Sequence, residues 1–74
     1  MGILKEKFQS FIDALQERCK EEDPNASVHA YQDAMDKMKG EVKVRMTING
    51  LTDEYVVGEV QGVVQFIRVW NGVL

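Results

Sequence analysis

Cysteine and histidine are almost absent from this 74-residue sequence, which has one of each, Cys19 and His29. A lone cysteine cannot form a disulfide within the chain, and these two residues cannot supply the four ligands of a structural zinc site. The sequence also lacks the apolar N-terminal stretch of a signal peptide and any run long enough for a membrane span. It therefore predicts a cytoplasmic protein with no cofactor, no bound metal and no membrane partner.

Positive charge is also scarce, because 9 Lys and Arg stand against 12 Asp and Glu, for a net charge of -3. Direct nucleic-acid binding normally needs clustered positive charge, so none is predicted. A chain this short buries only about 60% of its unfolded surface, which leaves a single core with marginal stability. We therefore expect one small acidic α+β domain over residues 1–74, which forms a homodimer.

The first half of the sequence has the periodicity of two helices. The apolar stripe of the first helix recurs at spacings of three and four: Leu4, Phe8, Phe11, Ile12, Leu15 and Cys19. Pro24 ends this helix near residues 22–24 and, with Asp23 or Ser27 as the cap, begins a second one. The second helix would use Val28, Tyr31, Met35 and Met38 as its apolar seam and end at Gly40. This pattern predicts an antiparallel helical hairpin.

Alternation with period 2 begins after Gly40 and predicts a β-hairpin. The apolar positions of the first strand are Val42, Val44, Met46 and Ile48. Asn49-Gly50 favours a two-residue type I′ turn, after which residues 51–57 return. That register places Arg45 opposite Glu54, but it also places Asp53 beside Met46 on the buried face. The conflict leaves the register open by one residue.

The last segment allows two interpretations. A helix from Glu59 to Asn71, capped by Gly72, gathers its apolar side chains on one face: Val60, Val63, Val64, Ile67 and Trp70. The same side chains favour a strand, which would place Phe66 and Trp70 on one face. We predict the helix, and hence the order α-α-β-β-α with a two-stranded sheet. A third strand in place of the last helix is the alternative.

Catalytic chemistry is not predicted. Ser27, His29 and Asp33 are the nearest approach to a nucleophile, a base and an orienting acid. On a helix, residues two apart point to different sides, so Ser27 and His29 cannot act together. Cys19 continues the apolar stripe and is expected to be a buried structural thiol rather than a nucleophile. We predict that the protein is not an enzyme.

Candidate partner-binding residues come from two groups. The densest acidic run is Glu17, Glu21, Glu22 and Asp23, which is either a solvated helix end or a docking surface for a basic partner. The second group is Tyr31, beside the methionines of its seam, and Trp70. Both aromatic residues are core candidates first and interface anchors second.

The stretch from Val44 to Gly72 carries a resemblance. Its runs Val-Arg-Met-Thr-Ile-Asn-Gly, Asp-Glu-Tyr-Val-Val and Val-Val-Gln-Phe-Ile-Arg-Val-Trp-Asn-Gly are similar to the hairpin-plus-helix of a family of small phage-encoded anti-CRISPR inhibitors. In that family an acidic α/β protein blocks a CRISPR nuclease by occupying its DNA-recognition surface. The resemblance implies a phage or mobile-element protein that works by binding.

These observations together predict a small, non-enzymatic protein-binding module, with inhibition of a host protein as its sharper form. The alternative is a structural or assembly subunit of a larger complex, such as a phage morphogenesis component.

Overall fold

The computed structural model describes residues 5–70 as one helix, a short second helix and a four-stranded sheet. The elements are α1 Glu6–Glu22, β1 Ser27–Tyr31, α2 Ala34–Lys39, β2 Val42–Ile48, β3 Leu51–Val60 and β4 Val63–Val69. All neighbouring strands are antiparallel, and their order in the sheet is β1-β2-β3-β4. The predicted α+β content is confirmed, but the predicted order α-α-β-β-α is wrong. The first position of the predicted stripe, Leu4, and the predicted cap, Gly72, lie outside the described residues.

The first helix agrees with its prediction. Phe8, Ile12 and Cys19 are buried along one stripe, as their spacing requires. The helix ends at Glu22, and the amide of Asp23 donates to the carbonyl of Cys19. Pro24 follows, so the chain turns away and enters the sheet.

The predicted second helix is wrong over residues 27–31, which form β1. Val28 and Ala30 pack against the core beneath α1, and β1 pairs with β2 over its whole length. The true α2 begins later, because Asp33 is its cap: Asp33 and Asp36 accept each other's backbone amides at 2.8 and 3.1 Å. The predicted end at Gly40 is correct, with φ 73°.

The two methionines of the predicted seam are not core residues. Met35 is 60% exposed and Met38 is 84% exposed on α2. They lie in solvent because α2 has only six residues and is fixed by its cap rather than by an apolar stripe.

The predicted β2–β3 hairpin and its two-residue turn are confirmed, and the register that the sequence left open is the one this turn gives. Asn49 and Gly50 have φ of 51° and 80°, and Arg45 lies opposite Glu54. Met46 also lies opposite Asp53. The expected conflict does not arise, because Asp53 is exposed at an end of the sheet where little covers it.

The predicted last helix is also wrong, since residues 63–69 form β4. Gln61 and Gly62, with φ of 52° and 82°, make a second tight turn of the same kind as Asn49-Gly50. The strand alternative fits this segment, but Phe66 and Trp70 do not share a face. A bulge shifts the register between Phe66 and Arg68, and one extra residue moves every later side chain to the other face.

The sheet therefore has two different sides. The α1 side holds the core cluster of Phe8, Ile12, Val42, Val44 and Val57. We call the other side the polar side, because it carries Tyr31, Lys43, Arg45, Glu54 and Trp70. Helix α1 covers the α1 side at one end only, and the uncovered end forms the candidate site.

Candidate functional site

A groove lies between the C-terminal half of α1 and the α1 side of the sheet. It has a volume of about 510 Å³. It is lined by Leu15, Arg18, Cys19, Glu21, Glu22, Met46, Ile48 and Phe66. Because the sheet supplies three of these residues and α1 the other five, the groove depends on how the helix crosses the sheet.

Contacts at the other end of α1 hold this crossing in place. The rings of Phe11 and Phe66 meet edge to face, with centroids 5.3 Å apart. Lys7 Nζ lies 2.6 Å from Glu59 Oε2. The N-terminal half of α1 is thus fixed over β4, while the C-terminal half runs toward β1, to which it is joined by a short loop.

Apolar side chains form the floor of the groove and continue past it. Phe66 is 41% exposed, although it contacts Phe11 and lies 5.1 Å from the Tyr55 ring. Val69 pairs with Tyr55 on the same side of the sheet and is 65% exposed, and Leu51 at the hairpin tip is 73% exposed. Phe66 and Val69 both adjoin Tyr55, and neighbouring exposed apolar side chains are typical of an interaction site.

The charges at the groove are predominantly negative. Glu21 and Glu22 line it with one cation, Arg18, and Asp53 is exposed opposite Met46. Among residues 5–70 neither glutamate takes part in an ion pair. The groove therefore has an apolar floor and a rim on which Glu21 and Glu22 outnumber one cation, Arg18.

The structure separates the four residues of the predicted acidic site. Glu21 and Glu22 line the groove, whereas Glu17 is exposed elsewhere on α1. Asp23 has a structural role, since its carboxylate accepts the amides of Asn25 at 3.0 Å and Asn49 at 2.8 Å. These bonds connect the loop after α1 to the β2–β3 turn.

The two aromatic candidates lie on the polar side, away from the groove. The hydroxyl of Tyr31 donates to Glu54 Oε1 at 2.6 Å, and Arg45 lies 3.3 Å from Glu54 Oε2. Lys43 Nζ lies 4.4 Å from the centre of the Trp70 ring. The acidic and aromatic groups of candidates therefore lie in different parts of the molecule, and the aromatic group is not part of the groove.

The polar side satisfies its own charges. The Tyr31 hydroxyl, followed by Arg45, lowers the pKa of Glu54 below its ordinary value of 4.5, and the same hydrogen bond raises the pKa of Tyr31. Burial alone would lower the pKa of Lys43, but the nearby carboxylates of α2 outweigh it and the pKa is raised. Because these groups are already paired with one another, this side stabilises the fold rather than offering free binding groups.

The residues nearest to a catalytic set are not assembled. Ser27 and His29 lie on β1, opposite Thr47 and Arg45. The His29 ring stacks on Tyr31 with centroids 6.2 Å apart, and Asp33 caps α2. Within the described part of the chain, no hydrogen bond joins Ser27 to His29 or His29 to Asp33.

No group of three or more His, Cys, Asp or Glu side chains in residues 5–70 is arranged to hold a metal ion. Across the same residues, no helix has the length and apolar composition needed to cross a membrane. In comparisons with protein-family models, curated proteins and solved structures, nothing matches this chain. The functional argument therefore depends on the geometry of the groove.

Five groove residues were missed as site residues because their sequence pattern is that of core: Leu15, Cys19, Met46, Ile48 and Phe66. One signal was present in the sequence. Asp53 opposite Met46 is incompatible with a fully covered face, so it marked this end of the sheet as open.

Proposed function

We propose that the protein is a non-enzymatic binding module that takes an apolar segment of another protein, flanked by basic side chains, into the groove. The observation that carries this proposal is the combination of an exposed apolar floor with the carboxylates of Glu21 and Glu22, which form no ion pair within residues 5–70. The buried free thiol of Cys19 supports a cytoplasmic setting.

The apolar floor of the groove is the reason for proposing that the partner contributes an apolar segment. Phe66 is held by two aromatic neighbours, Phe11 and Tyr55, yet exposes 41% of its surface. A ring that is already fixed loses little side-chain entropy when a partner covers it. Aromatic residues in such positions are frequent anchors of binding energy.

The acidic rim of the groove is the reason for proposing that the partner carries basic side chains. Glu21 and Glu22 lie next to this floor, form no ion pair within residues 5–70 and outnumber Arg18, the cation that also lines the groove. A partner with Lys or Arg beside its apolar side chains would offset the mutual repulsion of these groups and associate faster at low salt. Inhibition of a host protein, which the anti-CRISPR resemblance implies, is one form of this proposal.

The test compares two variants with the same charge change. Immobilised wild-type protein, a groove variant with Glu21→Lys and Glu22→Lys, and a control with Asp13→Lys and Glu17→Lys are incubated with lysate of cells that naturally produce the protein. Asp13 and Glu17 are exposed on α1 outside the groove. We expect that wild type and the control retain one protein that the groove variant does not retain. Only the groove variant reverses the charge of the rim.

The bound protein is then titrated with wild type and with Phe66→Ala. Loss of an anchor at the floor should weaken binding by at least about 1 kcal/mol, or roughly fivefold. Capture that is equal in all variants, or that falls equally in groove variant and control, would contradict binding in the groove.

The second candidate function, a structural or assembly subunit, is favoured by a separate observation: the outer edge of β4 is unpaired within residues 5–70. This edge leads to the next inference.

A further inference from the structure

Strand β4 forms one edge of the sheet and is suited to pairing with another strand. It hydrogen-bonds to β3 on one side, and within the described part of the chain no strand lies on its other side. An edge strand presents backbone N–H and C=O groups that a further strand can use.

The two edges of the sheet differ in how far they are protected. The edge strand β1 has five residues, and β4 has seven. Natural edges are commonly protected by lysines, prolines or inward-pointing charges. β4 has none of these, and its one charged residue, Arg68, is paired with Glu41 at 2.9 Å. Its protection is a single bulge at Ile67, which leaves residues 63–66 as a regular edge.

We propose that β4 pairs antiparallel with β4 of a second copy of this chain, which gives a two-fold dimer with a continuous eight-stranded sheet. The absence of net charge along the β4 edge favours a second copy of β4 as the pairing strand. Because Arg68 is already neutralised by Glu41 within its own chain, two β4 edges approach each other without like-charge repulsion. A two-fold contact also requires one surface to be complementary to itself, which a neutral antiparallel edge provides.

The side chains beside the edge supply the surface that such a dimer needs. A stable interface buries about 800 Å² per partner, about one seventh of the 5395 Å² that this chain exposes. Backbone pairing alone does not reach this area. Val63, 58% exposed on the polar side, and Val69, 65% exposed on the α1 side, extend the contact on both sides of the sheet.

The dimer would also bring the two grooves close together. A two-fold axis perpendicular to the sheet reverses the strand direction but keeps α1 of both copies on the same side. Phe66 of each copy lies on that side of β4. The two grooves would therefore face one partner surface, so that a repeated or two-fold symmetric partner could occupy both.

The test measures solution mass by light scattering across a concentration series. Wild type is compared with Val63→Lys plus Val69→Lys, which places like charges on the paired edges. The matched control is Met35→Lys plus Met38→Lys, two exposed apolar residues on α2. Circular dichroism of all three proteins checks that they remain folded, and neither variant changes Glu21, Glu22 or Phe66.

We expect wild type and control to reach twice the 8.4 kDa of the chain. The β4 variant should raise the dimer dissociation constant at least about tenfold. Hydrogen exchange of β4 amides in wild type should slow as concentration rises. A wild-type mass of one chain at all concentrations, or a dimer that the β4 lysines leave intact, would overturn the proposal, as would equal loss in the control.

Discussion

The two sides of the sheet are stabilised by different interactions. On the α1 side, Phe8, Ile12 and their neighbours are removed from water, and no charged residue belongs to this cluster. On the polar side, Tyr31, Arg45 and Glu54 are joined by hydrogen bonds and an ion pair. Burial of apolar surface does not depend on proton concentration, whereas a carboxylate network does. The sides should therefore respond differently to pH.

The α1 side is itself divided into a closed end and an open end. Phe8 and Ile12 are only 4% and 5% exposed at the closed end, while Leu51 at the open end is 73% exposed. The same residue types should therefore contribute very differently to stability at the two ends, and the open end is available for binding.

The largest effect is expected at the closed end. Ile12→Ala should lower the free energy of unfolding by about 3 kcal/mol, because it removes buried methyl groups and leaves a cavity. Urea unfolding followed by circular dichroism measures the loss, which should be the same at pH 7 and at low pH. If Ile12→Ala does not fold, Ile12→Val should still cost about 1 kcal/mol. A loss below about 0.5 kcal/mol for the alanine variant would contradict the packing described.

An intermediate, pH-dependent effect is expected on the polar side. Since the Tyr31 hydrogen bond lowers the pKa of Glu54 in the folded state, its contribution is present above pH 4.5 and is lost as pH falls through the lowered pKa. Glu54→Gln should cost about 1 kcal/mol at pH 7. The difference from wild type should shrink below pH 4.5, as urea titrations at several pH values would show.

The comparison isolates Glu54, because the ion pair of Glu41 and Arg68 is present in both proteins. Tyr31→Phe gives the complementary result at high pH. The pKa of Tyr31 is raised above 10.0, so its contribution is present below pH 10 and is lost as pH rises through the raised pKa. A cost of Glu54→Gln that is constant from pH 7 to low pH would show that the network does not stabilise the fold in this way.

The smallest effect is expected at the open end. Leu51→Ala removes as many carbon atoms as Ile12→Ala, but the side chain is largely in water, so stability should change by less than about 0.5 kcal/mol. The same urea experiment measures it. A loss comparable to that of Ile12→Ala would mean that the open end is covered in solution, by a second copy or by other residues of the chain.

The local sequence pattern was sufficient to predict α1 and the β2–β3 hairpin. The stripe of α1 runs through buried Phe8, Ile12 and Cys19 at helical spacing, and Asn49-Gly50 specifies the turn by its backbone preference. In both cases the deciding signal lies within a few consecutive residues.

Residues 27–31 were misread because five residues are too few to distinguish the strand period of 2 from the helical period of 3.6. Val28 and Tyr31, three apart, fit a helical face, but Val28 and Ala30, two apart, are the pair that packs under α1. Pairing with β2 decides between the two, and that partner lies outside any local window.

β4 was misread because of its bulge and its turn. In a strictly alternating strand Gln65 and Arg68, three residues apart, would lie on opposite faces, whereas the extra residue at Ile67 brings both to the polar side. Gln61 takes a positive φ of 52°, a conformation that few residues other than Gly, Asn and Asp favour. The sequence therefore offered no recognisable turn at this point.

The candidate site was predictable only in part. Glu21 and Glu22 stood out by charge, but Met46 and Phe66 look like core from their alternation. Which core-like residues stay exposed depends on the angle at which α1 crosses the sheet, and no local pattern contains that angle. Asp53, a charged residue at an apolar position of the strand pattern, was the one residue in the sequence to indicate that this end of the sheet is uncovered.

The order β1-β2-β3-β4 has a consequence for how the chain reaches its native state. Each strand pairs with its neighbour in sequence, so most of the sheet can assemble by closing short loops, which favours rapid folding. The contact between Phe11 and Phe66 spans most of the chain and closes the largest loop. The docking of α1 onto β4 should therefore be the late event, and the groove should form only in that last step.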